Sequence, residues 1–452
     1  MAYERHQQYS IVDWIINNNV DPEHKLIRLT NRIDWDEIIE KLSIYYSTKG
    51  RKAKRIRMMV ALHMVKHLYN LSDEQVVEGL QENLYWMAFC GVPTEQIAAG
   101  GALRWLEAST MTKFRKRIGA EGMNAIEEVI RDQILSDGRR RPRAMIVDTT
   151  CMEKHIAYPT DAGLLDKGRR KLVRMIRNIK DSGVAFRGTV RSYVRVGKKA
   201  LCEINKFGRT SQKTVRDSLT KLVYYAERVM DHVPEVLKET KVAIKRRPGA
   251  QLRRLSRELE ETAERVRTVL RQTKERLKDI HVPDKLYSLH EPQVACITKG
   301  KRPKEHEYGC KVSLAINQQG YVIAHREYPD NRHDNQTLTE ALDDWKEATG
   351  TLPEVVNMDR GYRYKEGNEP KVLSKVRRVV IPSMGKTSIP QERTRWFKKH
   401  KRKRSSIEAV ISHLKQEHRM DRCRYRGLGG DQVNMSLATI AWNTKKWALD
   451  TG

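Results

Sequence analysis

Closely spaced cysteines are missing from this chain of 452 residues: Cys90, Cys151, Cys202, Cys296, Cys310 and Cys423 lie far apart, with no C-x-x-C among them. That scatter argues against a structural zinc site or a disulfide framework, and it fits a reducing cytoplasm. Long apolar runs are missing too. No stretch approaches the ~20 apolar residues of a membrane span, and Met1 to Val20 has no continuous apolar core of the kind a secretory signal needs. Acids are the third shortage: Lys and Arg number 87 against 57 Asp and Glu, giving a formal charge of +30 and a pI near 9.9. Such a balance implies a polyanionic partner, with nucleic acid the first candidate. Charge alone does not discriminate DNA from RNA. With 39% hydrophobic residues the chain is no disordered basic tail, and its length leaves room for roughly three packed domains.

Against that basic background three acids stand out. Asp148 closes the apolar run Ala144-Met145-Ile146-Val147, which reads as a short buried strand with the carboxylate emerging at its C-terminal end. Asp359 follows Val355-Val356-Asn357-Met358 and precedes Arg360-Gly361-Tyr362, where glycine lets the backbone turn sharply. Glu408 lies in a helical stretch, Ser405 to Lys415. Two strand ends and one helix can converge on a point. Hard divalent cations such as Mg²⁺ take oxygen ligands and keep positions open for water and phosphate. Two of them about 3.5–4 Å apart clamp the attacking and leaving oxygens of an in-line displacement. Without metal, clustered carboxylates repel and one holds its proton, so metal binding and proton release are expected to be coupled, with activity falling in acid.

The first third of the chain reads as helical and basic. Apolar residues recur at helical spacing from Ile56 to Leu68, Leu71-Ser72 breaks the pattern, and Ser72-Asp73-Glu74-Gln75 is a capping box opening another helix. A further helix from Ser109 or Thr110 presents Lys113, Arg115, Lys116 and Arg117, with Phe114 and Ile118 on its other side. The functional expectation is a helix-turn-helix that recognises a DNA end, flanked by phosphate contacts. The bland alternative is a bundle with a solvated basic face.

From Thr160 to about Ile280 the chain is helical again. Val215, Leu219, Leu222, Ala226 and Val229 form one stripe, and Leu252, Leu255, Leu259, Thr262, Val266 and Val269 form another after Pro248-Gly249. The expectation is a helical hairpin. Lys241 to Lys278 holds 13 basic residues against 5 acidic, which suits an arm lying on DNA or on a second protomer, or an insertion that only packs on the core. Strands then resume at Lys311–Ile316 and Tyr321–Ala324 around a hairpin loop. A helix from Asn335 to Ala348, the Asp359 strand, a strand at Val379-Val380-Ile381 and the Glu408 helix follow. That order is the order of a ribonuclease-H-like α/β core, interrupted by a helical insertion between its first and second strands.

These residues resemble the DDE transposases of bacterial and archaeal insertion sequences, specifically the insertion-sequence-five family with its Tyr-x2-Arg-x3-Glu-x6-Lys box. Arg404, Glu408 and Lys415 match the last three members with both spacings intact. Ile33-Asp34-Trp35, Leu71 to Glu74, Phe114 to Gly119, Asp148-Thr149-Thr150, Tyr158 to Asp161 and Asp359 to Tyr362 are similar to the same family. The resemblance runs from about residue 20 to residue 445. Lys401 stands where the box has tyrosine, inside the run Lys398 to Arg404; lysine supplies charge and an alkyl stem but no ring to stack on a base.

The resemblance implies an α/β fold with a helical DNA-binding domain over 1–135, a ribonuclease-H-like catalytic core over 140–160 and 285–445, and a helical insertion over 161–284. It implies catalytic, metal-binding roles for Asp148, Asp359 and Glu408 with two Mg²⁺ ions, Mn²⁺ substituting. The resemblance carries over Arg404 and Lys415 as DNA contacts; the basic run adds Lys401 and Arg402, the amino-terminal basic helix adds Lys113, Arg115, Lys116 and Arg117, and His333 lies in the stretch Asn331 to Asp334 that is expected to approach the site. Asp334 also suits the N-cap of the helix that follows. The implied partners are double-stranded DNA, as terminal inverted repeats and as target, and a homodimer or higher synaptic assembly in a prokaryotic cytoplasm, at the nucleoid when bound to DNA. Alone, a strand-terminal aspartate often caps a turn, and a helical glutamate is often a solvated acid. A nuclease that never joins DNA, and a regulatory DNA-binding protein without chemistry, remain as alternatives.

Overall fold

The computed structural model describes residues 19–47, 49–50, 53–92, 106–136, 140–298, 305–364, 369–383 and 390–450. Most of the segment tested for a signal lies outside them. Among the described residues six helices come first: α1 (Lys25–Arg32), α2 (Trp35–Ser43), α3 (Ile56–Leu68), α4 (Asp73–Leu80), α5 (Leu84–Cys90) and α6 (Ala108–Ser136). Asp34 caps α2 by accepting from the backbone N–H groups of Asp36 and Glu37, and Ser72 and Gln75 form the expected capping box at α4. The helix-turn-helix reading meets two physical obstacles here. Eleven of the thirteen residues of α3 are buried, so it has no free face, and α4 reads DEQVVEGL, with three acids and no base. Exposed basic side chains sit instead on α6, which Gly119 breaks with a left-handed φ of 63°.

Strand β1 spans Ala144–Lys154, so Asp148 is its fifth residue and not its last. The strand runs on past Asp148 because the β-branched Thr149 and Thr150 suit a pleated strand and find partners in Ser313 and Val312. After β1 come five helices: α7 (Asp161–Asp181), α8 (Val194–Phe207), α9 (Gln212–Met230), α10 (Val233–Arg246) and α11 (Ala250–Leu277). The two stripes seen in the sequence belong to α9 and α11, which are not consecutive, so the expected hairpin is corrected to a five-helix unit. Pro234, at the start of α10, is tolerated in a helix's first turn. Residues 156–296 form one compact unit with its own apolar core of Leu165, Ile176, Leu222, Val236, Leu259 and Val266 among others.

The chain then gives β2 (Ala295–Thr298), β3 (His306–Ile316), β4 (Val322–Tyr328), α12 (Asp334–Thr349), β5 (Val355–Asn357), β6 (Arg378–Val380), α13 (Arg395–Glu417), β7 (Arg422–Cys423) and α14 (Gly427–Leu449). The sheet is mixed, in the order β2-β3-β1-β5-β6, with β4 also on β3 and β7 on β1. β1, β3 and β4 form an antiparallel set, while β5 and β7 run parallel to β1 and β6 parallel to β5. Gly320, at φ 86°, closes the turn between β3 and β4. The basic run 398–404 lies inside α13 and is not a loop before it.

Alternation along β1 separates two packed faces. Met145 and Val147 join Leu338, Leu342 and Trp345 of α12, whereas Ile146 joins Ile407, Val410 and Leu414 of α13. The amino-terminal helices share the first of these cores, through Leu62, Val65, Ile126 and Ile130, and α14 enters it with Val433, Leu437 and Ile440. The region expected as a separate helical domain is thus packed into the same compact unit as the sheet, residues 1–155 and 297–452.

One ionic cluster ties α6 to the sheet. His325 on β4 lies 2.9 Å from Glu127 and 2.8 Å from Glu327, with all three side chains less than a tenth exposed. Burial pushes the imidazole toward its neutral form, yet the two carboxylates outweigh it and hold its pKa well above the usual value. His325→Gln leaves both carboxylates without a cation and is expected to cost about 3–5 kcal/mol. A raised folded pKa makes this contribution complete below the unfolded value of about 6.5 and lost as pH climbs through the folded one. Urea unfolding of both proteins at several pH values checks this: the gap in midpoint should narrow in alkali.

Candidate active site

β5 is only three residues long and pairs β1 at Ala144 to Ile146, while β7 meets β1 again at Glu153 and Lys154. Between them one edge of β1 has no neighbouring strand among the described residues, and Asp148 falls in that gap. Ile146 pairs with Asn357; the register carried two residues further sets Asp359 beside Asp148. Being even-numbered like Ile146, Asp148 also faces α13, where Arg404 places one guanidinium nitrogen 3.5 Å from Asp148 Oδ2 and another 2.6 Å from Glu408 Oε1. Arg404 and Glu408 are four apart on the helix and share its face. The three acids therefore come from a strand interior, a strand end and a helix, and a single guanidinium connects two of them.

Their local supports differ. Asp148 is largely buried, its side chain 17% exposed, and its Oδ1 accepts from the Thr149 N–H at 2.8 Å. Burial first, then the nearby charges of Asp359 and Asp334, push its carboxyl up to about 6 against the pull of Arg404. Asp359 caps the turn Arg360–Tyr362, accepting from the Gly361 N–H at 2.6 Å. Gly361 is needed for space and not for an unusual φ: a Cβ there would lie 2.7 Å from Asp334 Oδ2 and 3.0 Å from Asp359 Oδ1. Glu408 is the most open of the three, at 59%.

The fourth carboxylate is the one the sequence pattern pointed away from. His333, not Asp334, is the N-cap of α12, its N–H donating to Gln336 Oε1 at 2.9 Å, and its side chain is exposed. Asp334, one residue on, turns toward the sheet. Its Oδ1 accepts from the Thr149 hydroxyl at 2.6 Å and from Lys311 Nζ at 2.6 Å. Thr149 is odd-numbered and faces α12, so β1 offers Asp148 to one helix and Thr149 to the other. A hint was present in the sequence: a residue in the first turn of a helix has its side chain near the preceding strand end.

Among the described residues, no three His, Cys, Asp or Glu donors are gathered closely enough to hold a metal ion as they stand. The donor set nonetheless fits a hard cation. All the groups are carboxylates, Asp148 is pushed up by burial and then by its acidic neighbours, and Arg404 supplies positive charge between Asp148 and Glu408.

The expected DNA contacts are divided. Lys401 and Arg402 are exposed on α13, and Lys415 lies two turns beyond Glu408 on the same helix. Lys113, Lys116 and Arg117 are exposed on α6, with Arg117 over the Tyr46 ring at 4.6 Å. Arg115 is corrected: it is buried, pairs with Asp73 at 2.5 Å and touches His63 at 3.1 Å. It falls on the stripe Met111, Phe114, Ile118 at helical spacing, so it faces inward whatever its charge.

The geometry brings carboxylates from two strands' neighbourhoods and one helix together on a mixed α/β sheet. The chain matches a Transposase domain (DUF772) over residues 15–117 and a Transposase DDE domain over residues 235–444. An uncharacterised protein, ORF8 in the nfe locus of Rhizobium meliloti, is 37% identical over 196 residues, which cover 43% of this chain and 89% of that protein. This chain belongs to the DDE transposases, enzymes that act on DNA and depend on divalent metal. No helix among the described residues is long and apolar enough to cross a membrane.

Asp334→Asn keeps an acceptor for Thr149 but removes the counter-charge from buried Lys311. The variant is expected to lose about 1–3 kcal/mol of stability, read from its urea midpoint. An unchanged midpoint would mean that the Arg332 carbonyl, 2.5 Å from Lys311 Nζ, is partner enough.

Proposed function

We propose that this transposase belongs to the insertion-sequence-five group and moves its own element by cutting at the terminal inverted repeats and joining the freed ends to target DNA. The observation that carries this reading is the meeting of Asp148 and Asp359 at the unpaired edge of β1, with Arg404 linking Asp148 to Glu408. The antiparallel β1, β3 and β4, flanked by parallel β5 and β6, support a ribonuclease-H-like core interrupted by residues 156–296. The α6 lysines and the basic half of α13 suit duplex DNA. We assign the compact helical unit to contact with DNA or with a second protomer in a synaptic dimer.

Asp148, Asp359 and Glu408 would hold two Mg²⁺ ions, which when bound polarise the scissile phosphate and lower the pKa of the attacking hydroxyl or water. Asp148, within β1, and Asp359, in the turn after β5, would bind the ions from the sheet side and orient the reacting phosphate through them. Glu408, open on α13, would complete the set, leaving Arg404 to turn from the carboxylates toward phosphate oxygens. There it offsets the charge that grows in the transition state. Lys415, on the same helix face, positions the DNA strand. A water oxygen attacks phosphorus at the element end and releases a 3′-hydroxyl. That hydroxyl would then attack a target phosphorus in the same site, forming a new P–O bond as the target's own P–O3′ bond breaks and its 3′-oxygen leaves and takes up a proton.

The test is cleavage and joining of a labelled element-end duplex with a target plasmid, in Mg²⁺ or EDTA, for wild type and Glu408→Gln. Joined products that need metal and drop on the order of 10²–10³-fold in the variant are expected, the magnitude that loss of one positioned electrostatic group at the reacting centre costs. Nicking without joining would instead make the protein a nuclease, and tight binding without chemistry a regulator.

A further inference from the structure

A cavity of about 640 Å³ opens between the amino-terminal helices and the segment after α13, within the same compact unit. Seven basic side chains line it against two acids, Asp73 and Glu74. Two of the seven are already committed: Lys66 and Arg115 pair with Asp73 at 2.6 and 2.5 Å. These three form its inner wall with Tyr425, whose ring lies 4.7 Å from the Arg115 guanidinium and 5.2 Å from Lys66 Nζ.

The remaining five stay positive toward the opening. Arg422, Arg424 and Arg426 are exposed and alternate with Cys423, which is buried, and Tyr425, which is half-buried. All three arginines line the cavity, Arg422 from the two-residue β7 and Arg424 and Arg426 from the segment that leads into α14. Arg422 has one distant partner, Glu153 at 3.9 Å; Arg424, Arg426 and Lys116 make no ion pair among the described residues. Arg419 reaches the same cavity from a left-handed backbone, φ 65°. Burial, with Arg424 adding repulsion, holds its guanidinium below the usual range despite Tyr425, Asp73 and Asp421.

Two further features favour an anion. The N-terminus of α14, a helix of 23 residues, opens at the cavity through Gly429 and Gly430, and its N-cap residue Arg426 makes no side-chain cap. Asn434, the one carboxamide in the lining, already donates to the Arg419 carbonyl at 3.0 Å. The wall therefore offers charge and backbone dipole, while its amide is turned away from reading base edges.

We propose that this cavity is a second DNA-binding site, apart from the carboxylates, which grips the phosphate backbone of duplex DNA without regard to sequence. It rests on the reading of the protein as an enzyme acting on DNA and names a site for that substrate. Because Arg422, Arg424 and Arg426 each neutralise a phosphate, their loss reduces the number of counterions released on binding.

The test measures binding of the full-length protein to a labelled random-sequence duplex by fluorescence anisotropy, from low to moderate salt and in EDTA. It compares wild type, Arg424→Gln and Arg422→Ala/Arg424→Ala/Arg426→Ala, with Glu408→Gln as the reference altered only at the carboxylates. The slope of log affinity against log salt should become shallower by about 0.9 for the single variant and about 2.7 for the triple. Affinity of the triple variant near 0.1 M salt should fall on the order of 10²-fold, with an unchanged thermal midpoint. Unchanged slopes in folded variants overturn the proposal. So does protection by inorganic phosphate with no effect on the DNA slope, or a loss confined to an RNA duplex. Shallower slopes in a protein that never cuts DNA would retain this site and remove the catalytic reading; cutting lost in Glu408→Gln with slopes intact in the arginine variants would do the reverse.

Discussion

Like charges do not stay together unless something between them is positive, and that constraint organises the centre of this transposase. Asp334 and Asp359 both bear on Asp148 from separate elements, and its carboxyl is pushed up to about 6, by burial first and these acidic neighbours next. Lys311 answers Asp334 from β3, and Arg404 answers Asp148 and Glu408 from α13. The two cations differ in freedom: Lys311 is 9% exposed and fixed on a strand, whereas Arg404 stands at 23% on a helix. Arg404 is thus the less enclosed of the two cations.

The same economy of charge recurs away from the carboxylates. His325 reconciles two buried glutamates, Asp73 reconciles Lys66 with Arg115, and Lys154 meets Asp431 at 2.5 Å with both side chains nearly inaccessible. Each cluster joins elements far apart in the chain: α6 to β4, α4 to α6, and β1 to α14. Partnered charges inside a protein are costly to break from one side, and so they fix which element lies against which.

Much of this was legible in the sequence, and the failures have physical causes. The apolar runs before Asp148 and Asp359 announced strands, and the Ser72 box announced a helix start, because both signals are local. The length of β1 was not legible, since Thr149 and Thr150 take strand conformation only through partners on β3. Arg115 was read by its charge when its position on the apolar stripe decided its direction. Asp334 was read as a cap because Asp is a good one; His333 takes the cap and frees the carboxylate to reach Thr149 and Lys311. In the helical unit two stripes were visible, but the turn between α9 and α10 carries no glycine or proline break before Pro234, so α10 was hidden.

The register of β1 also sets a schedule for synthesis. Glu153 pairs with Gly309, so a ribosome adding roughly 5–20 residues each second leaves β1 without its antiparallel partner for roughly 10–30 s. During that interval the emerging chain is the helical unit, whose core draws only on its own residues and whose local contacts form fast. The apolar strand meanwhile waits with an unpaired edge beside the amino-terminal helices. Chaperone demand during translation should therefore concentrate on that one window, and slow codons placed within residues 156–296 would lengthen it.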